Sequence, residues 1–379
     1  MADDRRDLAW LRQALQTAIS LEHATMPLYL AAMFSLRVQS FTAYNFVRSV
    51  VMEEMIHMAI ACNMLAAIGG RPQIATLHHG FPSQGLPGGV EPDLRARLAR
   101  LSPAQLEVFM RIEVPDFLLS PEHQDESYPT IGDLYDAIGL AIDENADDVR
   151  QAMRETAANP DRANQVGDNI GFTTIVYQEG TDPVPLLRAG ISEILEQGEG
   201  SRSRTLHTGP TSQNEESHYC KFAELHYGRA FQSPESDIAL TRETESQFFE
   251  GYPIPFPGTV NTMAVPADGY AALLAHDANA DAARRALDTF DTRYSQMMKS
   301  LDAVWNGPAA KSWPTLGEAV GLMTGLRVPA CFGVMVAQIP ADAIARLPEL
   351  YPDEYADIAA LTDLDQPVFY GPRFLNLNV

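Results

Sequence analysis

Residues 48–70, RSVVMEEMIHMAIACNMLAAIGG, constrain the fold of this chain more than any other stretch. Their apolar side chains recur at the spacing of one helix face, and a Gly-Gly pair ends the pattern. Glu54 and His57 lie inside that apolar stripe. Three residues on a helix advance about 4.5 Å and nearly one turn, so both side chains point into whatever the stripe packs against. A buried carboxylate and imidazole are costly without a partner, so the pattern predicts a charged group or a metal ion nearby.

A first long helix is predicted over residues 7–36, and it carries another acid on its apolar face. Glu22 lies at the centre of that face. Pro27 has no N–H with which to bond the carbonyl of His23, so the helix is expected to kink one turn beyond Glu22. The chain therefore begins with two long helices that each direct a carboxylate into the core.

A second Glu-x-x-His pair, Glu215 and His218, lies on a helix predicted over residues 215–229. The chain thus offers Glu22 on one helix, Glu54 and His57 on the next, glutamates on a later helix, and the second pair on its successor. Di-iron carboxylate bundles require a Glu from each of two helices and Glu-x-x-His from each of the other two. Four carboxylates balance two divalent ions, and oxygen and imidazole ligands suit iron or manganese.

The glutamate of the third helix is the least determined by spacing. The helix ends in ISEILEQGEG, where Glu199 lies closer to the edge of the apolar face than Glu196. Glu199 is therefore the predicted ligand and Glu196 its alternative. Glu113, at the end of a short helix that starts at Ser102, is a further candidate for the site or a surface acid.

Each part of this pattern also has a structural explanation. Nine histidines yield roughly one Glu-x-x-His pair by chance at ordinary glutamate usage. Glu215 could close a capping box with Ser212, and Glu22 could be a satisfied core carboxylate beside His23. The metal hypothesis rests on the conjunction, because Glu22, Glu54 and His57 all lie on apolar stripes where an unpaired charge is disfavoured.

The charge of the chain restricts its partners. Fifty acidic against 27 basic side chains give a formal net charge of −23, which argues against nucleic acid or an anionic membrane as a partner. The start has no signal-peptide core, and no apolar run is expected to reach the roughly 20 residues of a membrane span. A cytoplasmic location is expected. The three cysteines are far apart and indicate neither a disulfide framework nor a thiolate zinc site.

Two regions are predicted. Residues 1–230 form the bundle, with a long Pro/Gly-rich crossover or lid at 69–90, helices at 102–113 and 130–150, and a short extended segment at 172–177. Residues 231–379 form a helical C-terminal extension with helices at 281–305 and 315–339 and an extended, docked tail. The predicted fold class is mostly α.

Six segments of the chain resemble the ferritin-like domain family that includes the iminophenyl-pyruvate dimer synthases, which is related to the imine-coupling enzymes of the violacein and chromopyrrolate pathways. They are LQTAISLEHATMPLYLAAMFSL, VVMEEMIHMAIACNMLAAIGGRP, FMRIEVPDF, TIGDLYDAI, ISEILEQGEG and EESHYCKFAEL. The resemblance spans residues 7–230 and, with the closing GPRF segment, extends more loosely over the whole chain. It implies a ferritin-like four-helix bundle with long crossover insertions. It also implies metal ligands at Glu22, Glu54, His57, Glu215 and His218, and it points to the QGEG segment without choosing between its neighbouring glutamates.

The leading functional hypothesis is a non-haem di-iron oxidoreductase with two iron ions, manganese being the alternative metal. Its expected reactants are a small amino-acid-derived molecule, such as an aromatic imine, and dioxygen or a peroxide. The protein is expected to form a small homo-oligomer. The alternatives are an iron-binding or storage protein without organic chemistry and a metal-free helical protein, since a fold does not fix a function.

Overall fold

The computed structural model describes residues 6–37, 41–119, 128–167, 174–198, 206, 215–234 and 238–378. Helices dominate these residues, which confirms the predicted mostly α class. One two-stranded sheet is found in the described ranges. The helices and strands, in chain order, are α1 (Leu8–Phe34), α2 (Phe41–Ala67), β1 (Ser83–Leu86), β2 (Val90–Ala96), α3 (Pro103–Ile112), α4 (Ile131–Glu144), α5 (Ala146–Ala158), α6 (Val184–Gly198), α7 (His218–Tyr227), α8 (Ala271–Leu274), α9 (Ala280–Asn306), α10 (Ser312–Gly325), α11 (Arg327–Phe332), α12 (Ala341–Ile344), α13 (Leu347–Leu350) and α14 (Tyr355–Leu361).

The antiparallel pair α1 and α2 forms the centre of the bundle, and α1 lies close to the bounds predicted for the first helix. Asp7 caps α1 by accepting a hydrogen bond from the backbone of Trp10, and the helix continues through Pro27 to Phe34. Near one end of the pair the Arg12 guanidinium donates to the Ile68 carbonyl at 2.7 Å. The two helices therefore run side by side over most of their length and share one buried surface.

Shorter helices pack around this pair, and their starts follow the capping signals of the sequence. The Ser102 hydroxyl accepts a hydrogen bond from the Gln105 backbone at the start of α3, as predicted. Thr130 and Asp133 form the predicted capping box of α4. The single helix predicted over residues 130–150 is wrong in detail, because the helix breaks at Asn145 and resumes as α5.

The Pro/Gly-rich segment after α2 contains strand structure that the pattern did not predict. Strand β1 pairs antiparallel with β2, and positive-φ glycines, including Gly88 at φ 85°, turn the chain between them. The extended segment predicted at 172–177 forms no strand in its described part, Thr174–Tyr177. Phe172 and Thr173 lie outside the described residues.

The C-terminal helices contact the bundle, and hydrogen bonds hold the tail against it. The indole N–H of Trp305 on α9 donates to the Asn63 side chain on α2 at 3.0 Å. The Asn376 side chain donates to the carbonyls of Ala75 and Leu77. The boundary at residue 230 between two domains stays a prediction.

Two helical stretches in the described part of the chain are long and apolar enough to cross a membrane, which corrects the expectation that no apolar run has that length. The first, Thr42–Ala67, belongs to the bundle core, and 78% of its apolar 18-residue window is buried inside the protein. In the second, Ala309–Val336, 39% of the corresponding window is buried. Core helices pass the same test of length and composition, so these stretches are weak indications of a membrane segment.

Candidate metal centre

The structure brings Glu22 of α1 together with Glu54 and His57 of α2 in the interior of the bundle. Each of the three side chains is about 2% exposed. The His57 Nδ1 atom lies 3.8 Å from Glu22 Oε2 and 3.9 Å from Glu54 Oε1. The Thr25 hydroxyl donates to Glu54 Oε2 at 2.8 Å. The helical spacing thus places both acids and the imidazole around one point, as the sequence predicted.

His218 completes the cluster from the first turn of α7. Its Nδ1 atom lies 2.9 Å from Glu54 Oε1, and its ring stacks on that of His57 with centroids 5.4 Å apart. Glu54 Oε1 therefore lies near the Nδ1 atoms of both imidazoles. One ligand atom from each of Glu54, His57 and His218 can be chosen so that all three lie within 4.8 Å of one another.

Glu215 is not brought into this cluster. The helix begins at His218 with Ser217 as its N-cap, so Glu215 precedes the helix and is exposed. The predicted helix over residues 215–229 is wrong at its start, because the Ser217 hydroxyl takes the capping role by accepting from the Cys220 backbone. Ser212, the partner of Glu215 in the alternative capping box, lies outside the described residues. A role of Glu215 as a metal ligand stays a prediction that the observed cluster does not require.

Glu113 is the acid that lies beside His218, where the sequence analysis had predicted Glu215. It is the C-cap residue of α3 and is 3% exposed. Its Oε2 lies 3.4 Å from His218 Nδ1, and Oε1 accepts a hydrogen bond from the Tyr29 hydroxyl at 2.5 Å. Glu113, one of several candidates in the sequence, is thus the third acid of the described cluster.

Two glutamates were predicted as candidates on the third helix of the bundle, which is α6, and only one of them is among the described residues. Glu199 lies outside the described residues. Glu196 is half-buried on α6, accepts a hydrogen bond from Ser192, and is not part of the cluster. Helix α6 ends at Gly198, where an added Cβ would lie 3.5 Å from Glu113 Oε2. The QGEG segment therefore starts directly beside the acids.

Both imidazoles are held from outside by partners that the sequence analysis missed. His57 Nε2 bonds to the Gln197 side chain at 2.8 Å, and His218 Nε2 bonds to Glu53 Oε2 at 2.8 Å. Each Nδ1 is consequently directed at the acids. Hydrogen-bond partners of this kind fix the ring orientation of metal-ligating histidines. Gln197 opens the QGEG segment, and Glu53 precedes Glu54, so both lay within motifs that the sequence had singled out.

Further polar side chains surround the acids. Lys221 donates to both oxygens of Glu53, at 2.9 and 3.0 Å, and the Tyr135 hydroxyl donates to Glu22. Tyr29, which bonds Glu113, follows Glu22 by seven residues and so shares its helix face. That spacing is a signal that could have identified Tyr29, whereas nothing local in the sequence connects Tyr135 with Glu22.

Burial and neighbouring charges shift the pKa values of several groups in this cluster. Burial, together with the charge of Glu54, raises the pKa of Glu22 well above its usual range. Burial, reinforced by His218, lowers the pKa of His57 to about 4. Burial alone would lower the pKa of His218, but the charge of Glu113 and the surrounding acids hold it well above its usual range. Although burial acts to raise the pKa of Glu53, His218 and Lys221 lower it to about 2.

The acids and imidazoles of this cluster are suited to binding a metal ion. The His218 Nδ1 atom is buried among carboxylate oxygens without a hydrogen bond of good geometry, which is costly unless something else binds it. A cation in this position would compete with the protons that the raised pKa values of Glu22 and His218 favour. Two imidazoles and three carboxylates are the donors that suit iron and manganese.

The family model described as Ferritin-like matches residues 15–227, which is more than half of the chain and includes every member of the cluster. The chain belongs to the Ferritin-like family. In this ferritin-like protein the four helices α1, α2, α6 and α7 supply, in chain order, Glu22, the pair Glu54 and His57, Gln197, and His218. The predicted ferritin-like fold is therefore confirmed, and α3 adds Glu113 from the side.

A solved structure supports the same fold. A ferritin-like protein from Caulobacter vibrioides is similar over 85% of this chain and 94% of that chain, with a TM-score of 0.55 and 18% sequence identity. At this identity the similarity establishes the fold alone. A search of the curated proteins found no significant match.

The choice between Glu113 and Glu215 is directly testable with one matched pair of variants. Glu113→Gln is expected to remove at least one metal ion per chain, because it deletes a buried carboxylate charge facing His218. Glu215→Gln is expected to leave the metal content unchanged, because that side chain is exposed. Elemental analysis of both proteins, after loading with Fe(II) under identical conditions, measures the difference. Metal loss in Glu215→Gln alone would restore the assignment made from the sequence.

Proposed function

We propose that this protein is a non-haem di-iron oxidoreductase that acts on a small amino-acid-derived molecule. The observation that carries the proposal is that Glu54 Oε1 faces both imidazoles, 3.9 Å from His57 Nδ1 and 2.9 Å from His218 Nδ1. Glu54, the two histidines and the neighbouring acids are the residues that would hold two metal ions. Two iron ions are the proposed cofactors, and manganese is the alternative that the same donors accept.

The ligands divide into two sets around Glu54. His57 and Glu22 would hold one ion, while His218 and Glu113 would hold the other. Glu199 remains the proposed additional acid, which would bring the carboxylates to the four that balance two divalent ions. Iron held in this way would supply the activation of dioxygen or a peroxide.

The protein's own contribution is to orient these ligands and to hold protons near them. Gln197 and Glu53 fix the two imidazole rings from outside the cluster. The hydroxyls of Tyr29 and Tyr135 each donate a hydrogen bond to an acid, which fixes one oxygen of Glu113 and one of Glu22. Burial raises the pKa of both tyrosines well above the usual range, so both hydroxyls keep their protons at neutral pH.

The substrate class rests on the resemblance of the six sequence segments to the iminophenyl-pyruvate dimer synthase group. An aromatic imine derived from an amino acid is the substrate we propose, with dioxygen or a peroxide as the second reactant. The strongly acidic composition favours such a small molecule over nucleic acid. A cytoplasmic location and a small homo-oligomer remain part of this proposal.

The metal content distinguishes this proposal from iron storage. Protein loaded with excess Fe(II) and then desalted is expected to retain close to two ions per chain, because the ligands form one closed cluster. Elemental analysis gives the ratio, and light scattering gives the particle size. A ratio that keeps rising with added iron, in a hollow shell, would instead support storage without organic chemistry. Protein that stays metal-free under all loading conditions would refute both.

A further inference from the structure

A second compartment lies on another side of the α1–α2 pair, between these helices and α9 and α10 of the C-terminal part. It is a cavity of about 500 Å³. That volume is within the range of about 300–1,000 Å³ that is typical of small-molecule sites. None of the five described cluster residues, Glu22, Glu54, His57, Glu113 and His218, lines it.

The geometry of α1 and α2 separates the two compartments. Successive residues of a helix point about 100° apart, so His23 faces the cavity while Glu22 faces the acids. On α2, Met55 and Ile56 line the cavity, whereas Glu54 and His57 belong to the cluster. The helix pair is thus a wall between a polar centre and an apolar cavity.

Methionine and aromatic side chains dominate the lining of this cavity. Six of the fourteen methionines of the chain line it: Met26, Met52, Met55, Met58, Met297 and Met323. Trp305 and Trp313 also contribute, and Trp313 is 45% exposed at the rim. Methionine adapts to different shapes and makes favourable contacts with aromatic rings, and it is common on surfaces that bind varied ligands.

Polar groups are few and are concentrated at one place. Among the described residues that line the cavity, none is Asp, Glu, Lys or Arg. The Tyr294 hydroxyl and His23 Nε2 bond to each other at 2.9 Å, which leaves His23 Nδ1 as a buried atom without a hydrogen-bond partner. The N–H of Trp305 is already bonded to Asn63. A ligand would therefore find one polar contact point in an otherwise apolar space.

We propose that this cavity binds a small, uncharged, mainly aromatic molecule that makes one hydrogen bond to the His23–Tyr294 pair. The absence of charged lining residues excludes a carboxylate as the ligand, since burying it without a partner would be strongly unfavourable. The proposed site is separate from the metal cluster and does not depend on the di-metal assignment. A 2-oxo acid, which carries a carboxylate, does not fit this cavity.

Two variants that fill the cavity test the proposal with the uncharged fluorescent probe N-phenyl-1-naphthylamine. Gly317 and Val320 of α10 both line the cavity. Wild type is expected to bind the probe saturably, and Gly317→Phe and Val320→Trp are each expected to weaken binding about tenfold or more by overpacking the space. Gly321→Phe is the matched control for Gly317→Phe. At both glycines an added Cβ meets no atom within 4 Å, but Gly321 does not line the cavity.

Competition experiments test the chemistry of the ligand. 2-Naphthol is expected to displace the probe, whereas 2-naphthoate, which has a similar ring system and a negative charge, is expected not to. Tyr294→Phe should weaken 2-naphthol a few-fold, roughly the value of one hydrogen bond, and leave the probe's affinity nearly unchanged. His57→Ala should retain probe binding, which separates this site from the metal centre.

Three results would overturn the proposal. They are the absence of saturable probe binding, wild-type affinity in both filled variants, and displacement by 2-naphthoate as effective as that by 2-naphthol.

Discussion

Replacing His218 with alanine is expected to remove at least one metal ion per chain. The imidazole is fully buried and its Nδ1 lies between Glu54 and Glu113, so no other described side chain can take its place. Removing it leaves the acids facing one another in a region of low dielectric, where mutual repulsion favours their protonated forms. Because binding energy for the folded state also stabilises the fold, the variant should lose the metal-dependent part of its thermal stability.

Elemental analysis and melting temperature, each with and without added Fe(II), measure these two effects. His226→Ala is the control, since His226 lies on the same helix and outside the cluster. At a free metal concentration 1,000 times the Kd, wild type should gain about 4 kcal/mol of unfolding free energy. Equal metal loss in both variants, or full occupancy in His218→Ala, would show that α7 does not contribute to the site.

Replacing Arg97 with alanine is expected to lower the unfolding free energy by about 3 kcal/mol, the lower end of the range seen when one partner of a buried ion pair is removed, because Asp357 is 39% exposed. Arg97 follows β2 and is 1% exposed. Its guanidinium bonds Glu354 at 2.7 Å and Asp357 at 3.0 Å, and so ties the hairpin to α14. Loss of this side chain leaves a void and removes the cation from Glu354, whereas Asp357 keeps its ion pair with Arg95. Urea unfolding gives the change in free energy.

Arg95→Ala is the matched comparison, because Arg95 bonds the same Asp357 at 3.0 Å but is 45% exposed. Exposed ion pairs contribute about 0–1 kcal/mol, so this variant should remain close to wild type. Similar losses in the two variants would mean that contact with Asp357, rather than burial of Arg97, determines the stability of this region.

The long helices of the bundle could be predicted from the sequence because their apolar residues repeat over many turns. The placement of Glu54 and His57 follows from that periodicity, since the spacing of three residues fixes their direction on any helix. Glu22 is predicted for the same reason. Here local pattern and tertiary packing agree for the face that carries the acids, while residues 21–34 of α1 are buried on every side.

Helix α7, the fourth helix of the bundle, was predicted less well because its start depends on which residue is the N-cap. Both Ser217 and Ser212 are acceptable N-caps, and the choice between them decides whether Glu215 points inward. Starting α7 at His218 removes Glu215 from the helix altogether. A shift of three residues at a helix start is small for the fold but changes which acid can reach the cluster.

Glu113 could not be ranked from the sequence because nothing local indicates its burial. An acid at the C-cap of a short helix is ordinarily solvated. Its environment comes from Tyr29, 84 residues earlier in the chain, and from His218, which follows much later. Only the tertiary fold brings these three side chains together. The same holds for the hydrogen bond of Tyr135 to Glu22.

The two-sided character of the α1–α2 pair has a consequence for how such proteins can diversify. A substitution at Met55 alters the cavity without displacing Glu54, because adjacent residues on one helix face different compartments. The ligand preference and the metal chemistry that we propose can therefore change separately, although both are encoded in the same two segments of the gene. One pair of helices can keep the same acidic cluster while substitutions on its other surface change which small molecules bind there.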